Sequence, residues 1–111
     1  MSIVREVQVT CPDEETAGRI GRETVEKRLA ACANIMGPVR SIYRWKGGVE
    51  EDTEWTLLLK TAAGQVDALI ALVRSLHPYE LPAILVHESE TDPATERWVT
   101  QEVGAGSGRP H

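Results

Sequence analysis

Between residues 33 and 61, apolar side chains keep to alternate positions on both sides of the pair Gly47-Gly48. Ala33, Ile35, Val39, Ser41, Tyr43 and Trp45 share one parity before it, and Thr53, Trp55, Leu57, Leu59 and Thr61 share one after it. Period-two patterning marks strands with one buried face, and a double glycine between two such runs marks a hairpin. Each arm holds about 11 residues, roughly 36 Å at ~3.3 Å per residue. A domain of ~100 residues has a radius of gyration near ~13 Å, so its sheet spans only roughly 30 Å. The arms are therefore expected to overhang the domain. Gly37-Pro38 interrupts the first arm, and because proline cannot donate to a ladder, a bulge or bend is expected there.

The remaining periodicities fix the order of elements. Val7, Val9 and Cys11 alternate with Glu6, Gln8 and Thr10, so residues 3–11 read as a strand, stopped by Pro12. Glu14 and Glu15 load a helix's first turn after Asp13, and Ala17, Ile20, Val25, Leu29 and Cys32 recur at helical spacing. A helix is predicted from Glu14 to Ala31. After the hairpin, Val66, Leu69, Ile70, Val73 and Leu76 form one stripe of a second helix, with His77 in its last turn and Pro78 ending it. Residues 83–86 read as a short strand, and Asp92-Pro93 opens a final helix carrying Trp98 and Val103. The order is α+β: a ferredoxin-like βαββαβ sandwich with an extended β-hairpin and a short C-terminal helix. Residues 1–103 form one domain in this reading, and 104–111 a flexible tail.

Composition narrows function. Twelve basic residues against seventeen acidic ones leave a net charge of −5, the wrong sign for displacing counterions from a nucleic acid. No apolar run approaches the ~20 residues of a spanning helix, and Met1 leads straight into a strand pattern rather than a signal sequence. The expectation is a soluble cytoplasmic protein with neither nucleic acid nor membrane as partner. Two cysteines are too few for a disulfide scaffold or a four-cysteine zinc site. No GxxxxGK[ST] loop, HExxH or GxSxG elbow is present, and no base–nucleophile pair is visible, so the protein is read as not an enzyme.

The topology gathers some reactive residues. The first strand ends at the sheet edge where the second helix ends, so Cys11 should meet the segment His77-Pro78-Tyr79-Glu80, and the hairpin tip points the same way. Cys32, at the far end of the first helix, would lie roughly 30 Å off at ~1.5 Å rise per residue, too far for a disulfide with Cys11. Cys11, His77 and Glu80 together offer a thiolate, an imidazole and a carboxylate, a set suited to copper or zinc. Each has a plainer reading. Cys11 and Cys32 also read as small core hydrophobes, His77 as a partner of the helix dipole, and Glu80 as a surface carboxylate or intersubunit ion-pair partner. His87 reads as a surface histidine. Tyr79 and the hairpin aromatics read as oligomer packing or, alternatively, as a ligand platform between subunits. An overhanging ribbon bearing Tyr43, Trp45 and Trp55 is poorly covered in a monomer, so a symmetric oligomer is expected.

Several segments resemble one family in order along residues 4–100. They are T-C-P-D-E-E from Thr10, V-E-K-R-L-A-A-C-A-N-I from Val25, S-I-Y-R-W-K-G from Ser41, E-D-T-E-W from Glu51, Lys60-Thr61 and H-P-Y-E-L-P from His77. Together they resemble CutA, the divalent-cation tolerance family. The resemblance implies a ferredoxin-like fold, a cytoplasmic homotrimer formed through hairpin and strand edges, and kinship with PII-type signalling proteins. It also implies a role in tolerance of copper and other divalent metal ions. No cofactor is required; Cu(II) or another divalent cation is the implied ligand, with His77 carried over first. Relatives place a first-strand cysteine where this chain has Val9, making Cys11 a displaced candidate, and a glutamate where it has Ala83. The alternative is a non-catalytic PII-like scaffold or small-effector sensor that affects metal tolerance indirectly.

Overall fold

The computed structural model describes residues 1–104; the tail expected beyond them lies outside the described residues. The chain runs β1 (Ser2–Cys11), α1 (Glu14–Glu26), β2 (Cys32–Trp45), β3 (Gly48–Thr61), a 3-10 turn (Ala63–Gln65), α2 (Val66–Leu76), β4 (Ile84–Thr91) and α3 (Pro93–Glu102). The four strands form one antiparallel sheet of order β2-β3-β1-β4. This is the ferredoxin-like arrangement expected from the periodicities.

The core lies on one face of the sheet. Val7, Val9, Cys11, Leu57 and Leu59 project there and pack with Ala17 and Ile20 of α1 and Leu69 and Val73 of α2. The opposite face carries Glu6, Gln8 and Thr10 of β1, with Lys60, Leu58 and Thr56 beside them on β3. Polar neighbours pair across it: Lys60 Nζ donates to Asn34 Oδ1 at 2.7 Å, and Ser89 Oγ to Glu6 Oε1 at 2.6 Å.

Helix α1 stops at Glu26, five residues before the predicted end at Ala31. Arg28 adopts φ 60°, and a Schellman closure follows: Arg28 N–H donates to Val25 O (3.0 Å) and Leu29 N–H to Thr24 O (3.0 Å). Glycine usually fills that position, because other residues cost about 1–2 kcal/mol there. Here the arginine is tied down, its guanidinium donating to the carbonyls of Gln101 and Glu102 at 2.9 Å each. Cys32 consequently opens β2 instead of closing a helix. It is half-buried on the polar face beside Lys60 rather than in the core. It aligns with Glu6 through Lys60, five residues from Cys11 along the sheet, which puts the thiols roughly 20 Å apart by strand geometry. That is closer than the sequence spacing suggested, but still beyond bridging range.

The hairpin overhangs as expected. β1 pairs with β3 only from Trp55 onward, so from Glu54 to the turn β2 and β3 pair with each other alone. The molecule is 50 Å long and 28 Å wide. Lys46 and Gly47 both have positive φ (49° and 83°), the two-residue turn whose twist matches the strands. The turn is thus centred one residue before the Gly47-Gly48 pair.

One expected parity breaks. Met36 pairs with Thr56 but Val39 with Glu54, so β2 uses three residues where β3 uses two. The extra residue at Gly37-Pro38 reverses the side-chain alternation. Ala33 and Ile35 point toward the helices, whereas Val39, Ser41, Tyr43 and Trp45 point to the opposite face with Glu54. The helix α2 ends at Leu76, and His77 is its extended cap rather than part of its last turn. β4 runs to Thr91, longer than the expected 83–86.

Candidate functional site

The bulge decides where the site forms. By turning Ser41, Tyr43 and Trp45 to the polar face, it makes the ribbon one wall of a cleft whose other wall is the loop from Pro78 to Ala83. Thr10 and Glu54 form the floor, and the cleft encloses about 770 Å³.

The loop is pinned at three points. His77, 8% exposed, places Nε2 2.7 Å from Thr10 O, and Tyr79 N–H donates to His77 Nδ1 at 3.1 Å. An imidazole that accepts at Nδ1 and donates from Nε2 is a neutral ring with its tautomer fixed by both partners. Tyr79 then lays its ring beside the imidazole, centroids 4.8 Å apart, and its hydroxyl donates to Glu54 Oε2 at 2.6 Å. Thr10 N–H donates to Ala83 O at 3.3 Å, tying the end of the loop to β1. At the far end Lys46 Nζ, from the hairpin turn, stands 3.8 Å from Glu80 Oε2 and 5.6 Å from the Trp45 ring centroid.

Electrostatics follow burial and these bonds. Burial pushes the Cys11 thiol up to about 11, with the negative charges of Asp13 and Glu54 adding to it and Arg19 opposing. Its hydrogen bond to Asp52 pushes the Tyr43 phenol up to about 12. Tyr79 is raised too, first by desolvation and then by its bond to Glu54. Cys11 is therefore a neutral thiol near pH 7, and both phenols stay protonated donors.

The expected convergence of Cys11 with the His77–Glu80 segment is present as the His77–Thr10 contact at the end of β1. Within one chain the three candidate ligands do not form a metal group. Cys11 is fully buried on the helix side of the sheet, both nitrogens of His77 are engaged, and Glu80 stands in solvent at the hairpin turn. Among the described residues no three His, Cys, Asp or Glu side chains are placed to hold a metal ion. Glu54 was missed in the sequence because it stands just after the acids Glu50, Glu51 and Asp52 beside the turn, and nothing in the spacing sets it apart from them. Only the bulge, and Tyr79 across from it, distinguish it from its neighbours. His87, placed at the surface by its strand position, is exposed and lies 3.2 Å from Gln8 Oε1.

An antiparallel β2-β3-β1-β4 sheet covered on one face by two helices, with an overhanging ribbon and a loop-pinned cleft on the other, defines a ferredoxin-like α+β protein. The family model of the CutA1 divalent ion tolerance protein matches residues 6–102, and the chain belongs to that family. It is 47% identical over 94 residues to Protein CutA of Mus musculus, covering 84% of this chain and 53% of that one. It is 48% identical over 79 residues to the divalent-cation tolerance protein CutA of Thermus thermophilus, covering 71% and 77%. The solved structure of that organism's divalent cation tolerance protein superposes with a TM-score of 0.88 at 40% identity, covering 91% of this chain and 99% of the other. The chain spans about half the length of the mammalian relatives it matches.

Proposed function

We propose that this chain acts in tolerance of divalent metal ions as a cytoplasmic, non-catalytic homotrimer that binds Cu(II) or a related divalent cation. The observation that carries the reading is the ribbon. Ile42 (61% exposed) and Val49 (64%) stand out on its helix-side face, and Leu81 (66%) and Leu85 (53%) on the loop and the outer strand. Apolar side chains concentrated on a two-stranded ribbon and on an edge strand suit burial between copies of the chain. A three-fold arrangement of heterologous contacts closes without leaving free edges. Two cysteines left unpaired suit a reducing compartment.

In this reading the cation is held where copies meet. Glu80 is the accessible donor. His77 contributes by giving the cation the Nδ1 lone pair that Tyr79 N–H now takes, and Cys11 only by losing its proton against a raised pKa. Both steps weaken binding, and the thiol step releases a proton, so uptake strengthens with pH. The test is calorimetric titration of Cu(II) into the wild type, His77→Ala, Glu80→Ala and Cys11→Ala. Saturable uptake, one per subunit or per trimer and lost in His77→Ala or Glu80→Ala, supports the reading. Uptake that ignores all three substitutions contradicts direct binding by these residues.

A further inference from the structure

We infer that the cleft between the ribbon and the 78–83 loop recognises small aliphatic ammonium ions, and that Lys46 occupies the ammonium position in the resting chain. Three aromatic side chains line it, Tyr43 and Trp45 from the ribbon and Tyr79 from the loop, together with the carboxylates Glu54 and Glu80. Aromatic faces attract cations within about 6 Å of the ring centroid, and a nearby carboxylate adds direct attraction. Both contacts are already made by a cation of the chain itself. Lys46 Nζ lies 5.6 Å from the Trp45 ring centroid and 3.8 Å from Glu80 Oε2. An alkylammonium therefore sits where ring and carboxylate meet.

The internal occupant is easily displaced. The Lys46 and Glu80 side chains are 69% and 75% exposed, and exposed ion pairs hold together weakly. At about 770 Å³ the cleft falls in the range of small-molecule sites. Glu54, 6% exposed and oriented by the Tyr79 hydroxyl, supplies a second negative charge at the floor. One carboxylate at the mouth and one at the floor favour a diamine over a monoamine. All these groups belong to one chain, but Glu80 is also the donor proposed above for the divalent cation, and Leu81, which lines the cleft, lies on the surface proposed to meet another copy, so the two readings meet at this cleft.

The experiment is calorimetric titration of putrescine into the full chain at low ionic strength, with 1,4-butanediol as the uncharged counterpart. It is repeated on Lys46→Asn, Trp45→Leu and Glu80→Gln. Asparagine accepts the positive φ of the turn, so Lys46→Asn removes the ammonium without disturbing the hairpin. Putrescine should bind while butanediol does not, with affinity rising about three- to ten-fold in Lys46→Asn and falling about ten-fold in Trp45→Leu. Glu80→Gln should also weaken it. Putrescine binding no better than butanediol in both wild type and Lys46→Asn overturns the inference, as it would if a second copy filled the cleft. Binding unchanged by Lys46→Asn and Trp45→Leu also overturns it, since that is diffuse attraction to an acidic chain.

Discussion

His77 and Thr10, 67 positions apart, meet through a 2.7 Å contact between the imidazole Nε2 and a main-chain carbonyl at the last residue but one of β1. The contact fastens the end of α2 to the strand beneath it. Because the other ring nitrogen accepts from Tyr79 N–H, one side chain fixes both the strand end and the loop that walls the cleft.

His77→Ala removes both bonds and leaves the Tyr79 amide without its acceptor. The expected cost is about 1–3 kcal/mol of stability, read by urea denaturation. Hydrogen exchange at the Tyr79 amide should accelerate at least about ten-fold, with the β3 amides at Leu57 and Leu59 little changed. Unaltered protection at Tyr79 would contradict the assigned role.

Cys11 gives stability a pH dependence of definite sign. Its folded pKa, about 11, lies above the ordinary 9.0, so the folded chain holds the thiol proton more tightly than the unfolded chain. The contribution is fully present below pH 9 and is lost as pH rises toward and through 11. Denaturation midpoints should fall between pH 8.5 and pH 10.5, each value here being about half a unit inside or below that window. The fall should be smaller in Cys11→Ala. In a Cys32→Ser background, the remaining thiol should react with a thiol reagent at pH 8 at least about ten-fold more slowly when folded than in urea.

Arg28 holds a left-handed conformation that glycine would adopt freely, yet its side chain bonds the Gln101 and Glu102 carbonyls. Arg28→Gly loses those bonds but relieves the backbone, whereas Arg28→Ala loses the bonds and keeps the strain. Stability should therefore rank wild type first, glycine second and alanine last, with alanine down by about 1–3 kcal/mol. Thermal denaturation of the three proteins reads the order.

Gly37 is confined by an aromatic ring. A Cβ there would lie 2.7 Å from Cδ2 and 2.8 Å from Cε3 of Trp55, atoms of the ring body that cannot swing aside. Gly37→Ala should cost about 1–3 kcal/mol through overpacking. It should also shift the tryptophan emission. A neutral effect would mean the bulge can move without consequence.

The topology was legible because each element declared its own period. Val7, Val9 and Cys11 on β1 and Leu69 and Val73 on α2 are buried where the alternation and the helical stripe put them. Two features were not legible, and both are departures from a local rule. The end of α1 carries no glycine, so Leu29 and Cys32 continued a helical spacing by coincidence. The left-handed turn depends on Arg28 reaching α3, a contact made across most of the sequence. At Gly37-Pro38 an irregularity was expected, but its size was not. One extra residue, rather than none or two, decides which face Tyr43 and Trp45 occupy, and that depends on the pairing partner Glu54. The same limit applies to the site. Composition and topology brought Cys11, His77 and Glu80 to one edge of the sheet. Whether a lone pair is free at that edge depends on the hydrogen bonds of His77, which spacing cannot reveal.

The proposed assembly is tested most directly by the mass of the purified protein in solution, measured by light scattering after size exclusion at micromolar concentration. The account predicts a single species of three times the 12.2 kDa chain, unchanged on dilution across the micromolar range. A 12.2 kDa species would leave Ile42 and Val49 facing water and contradict the trimer on which the proposed function rests.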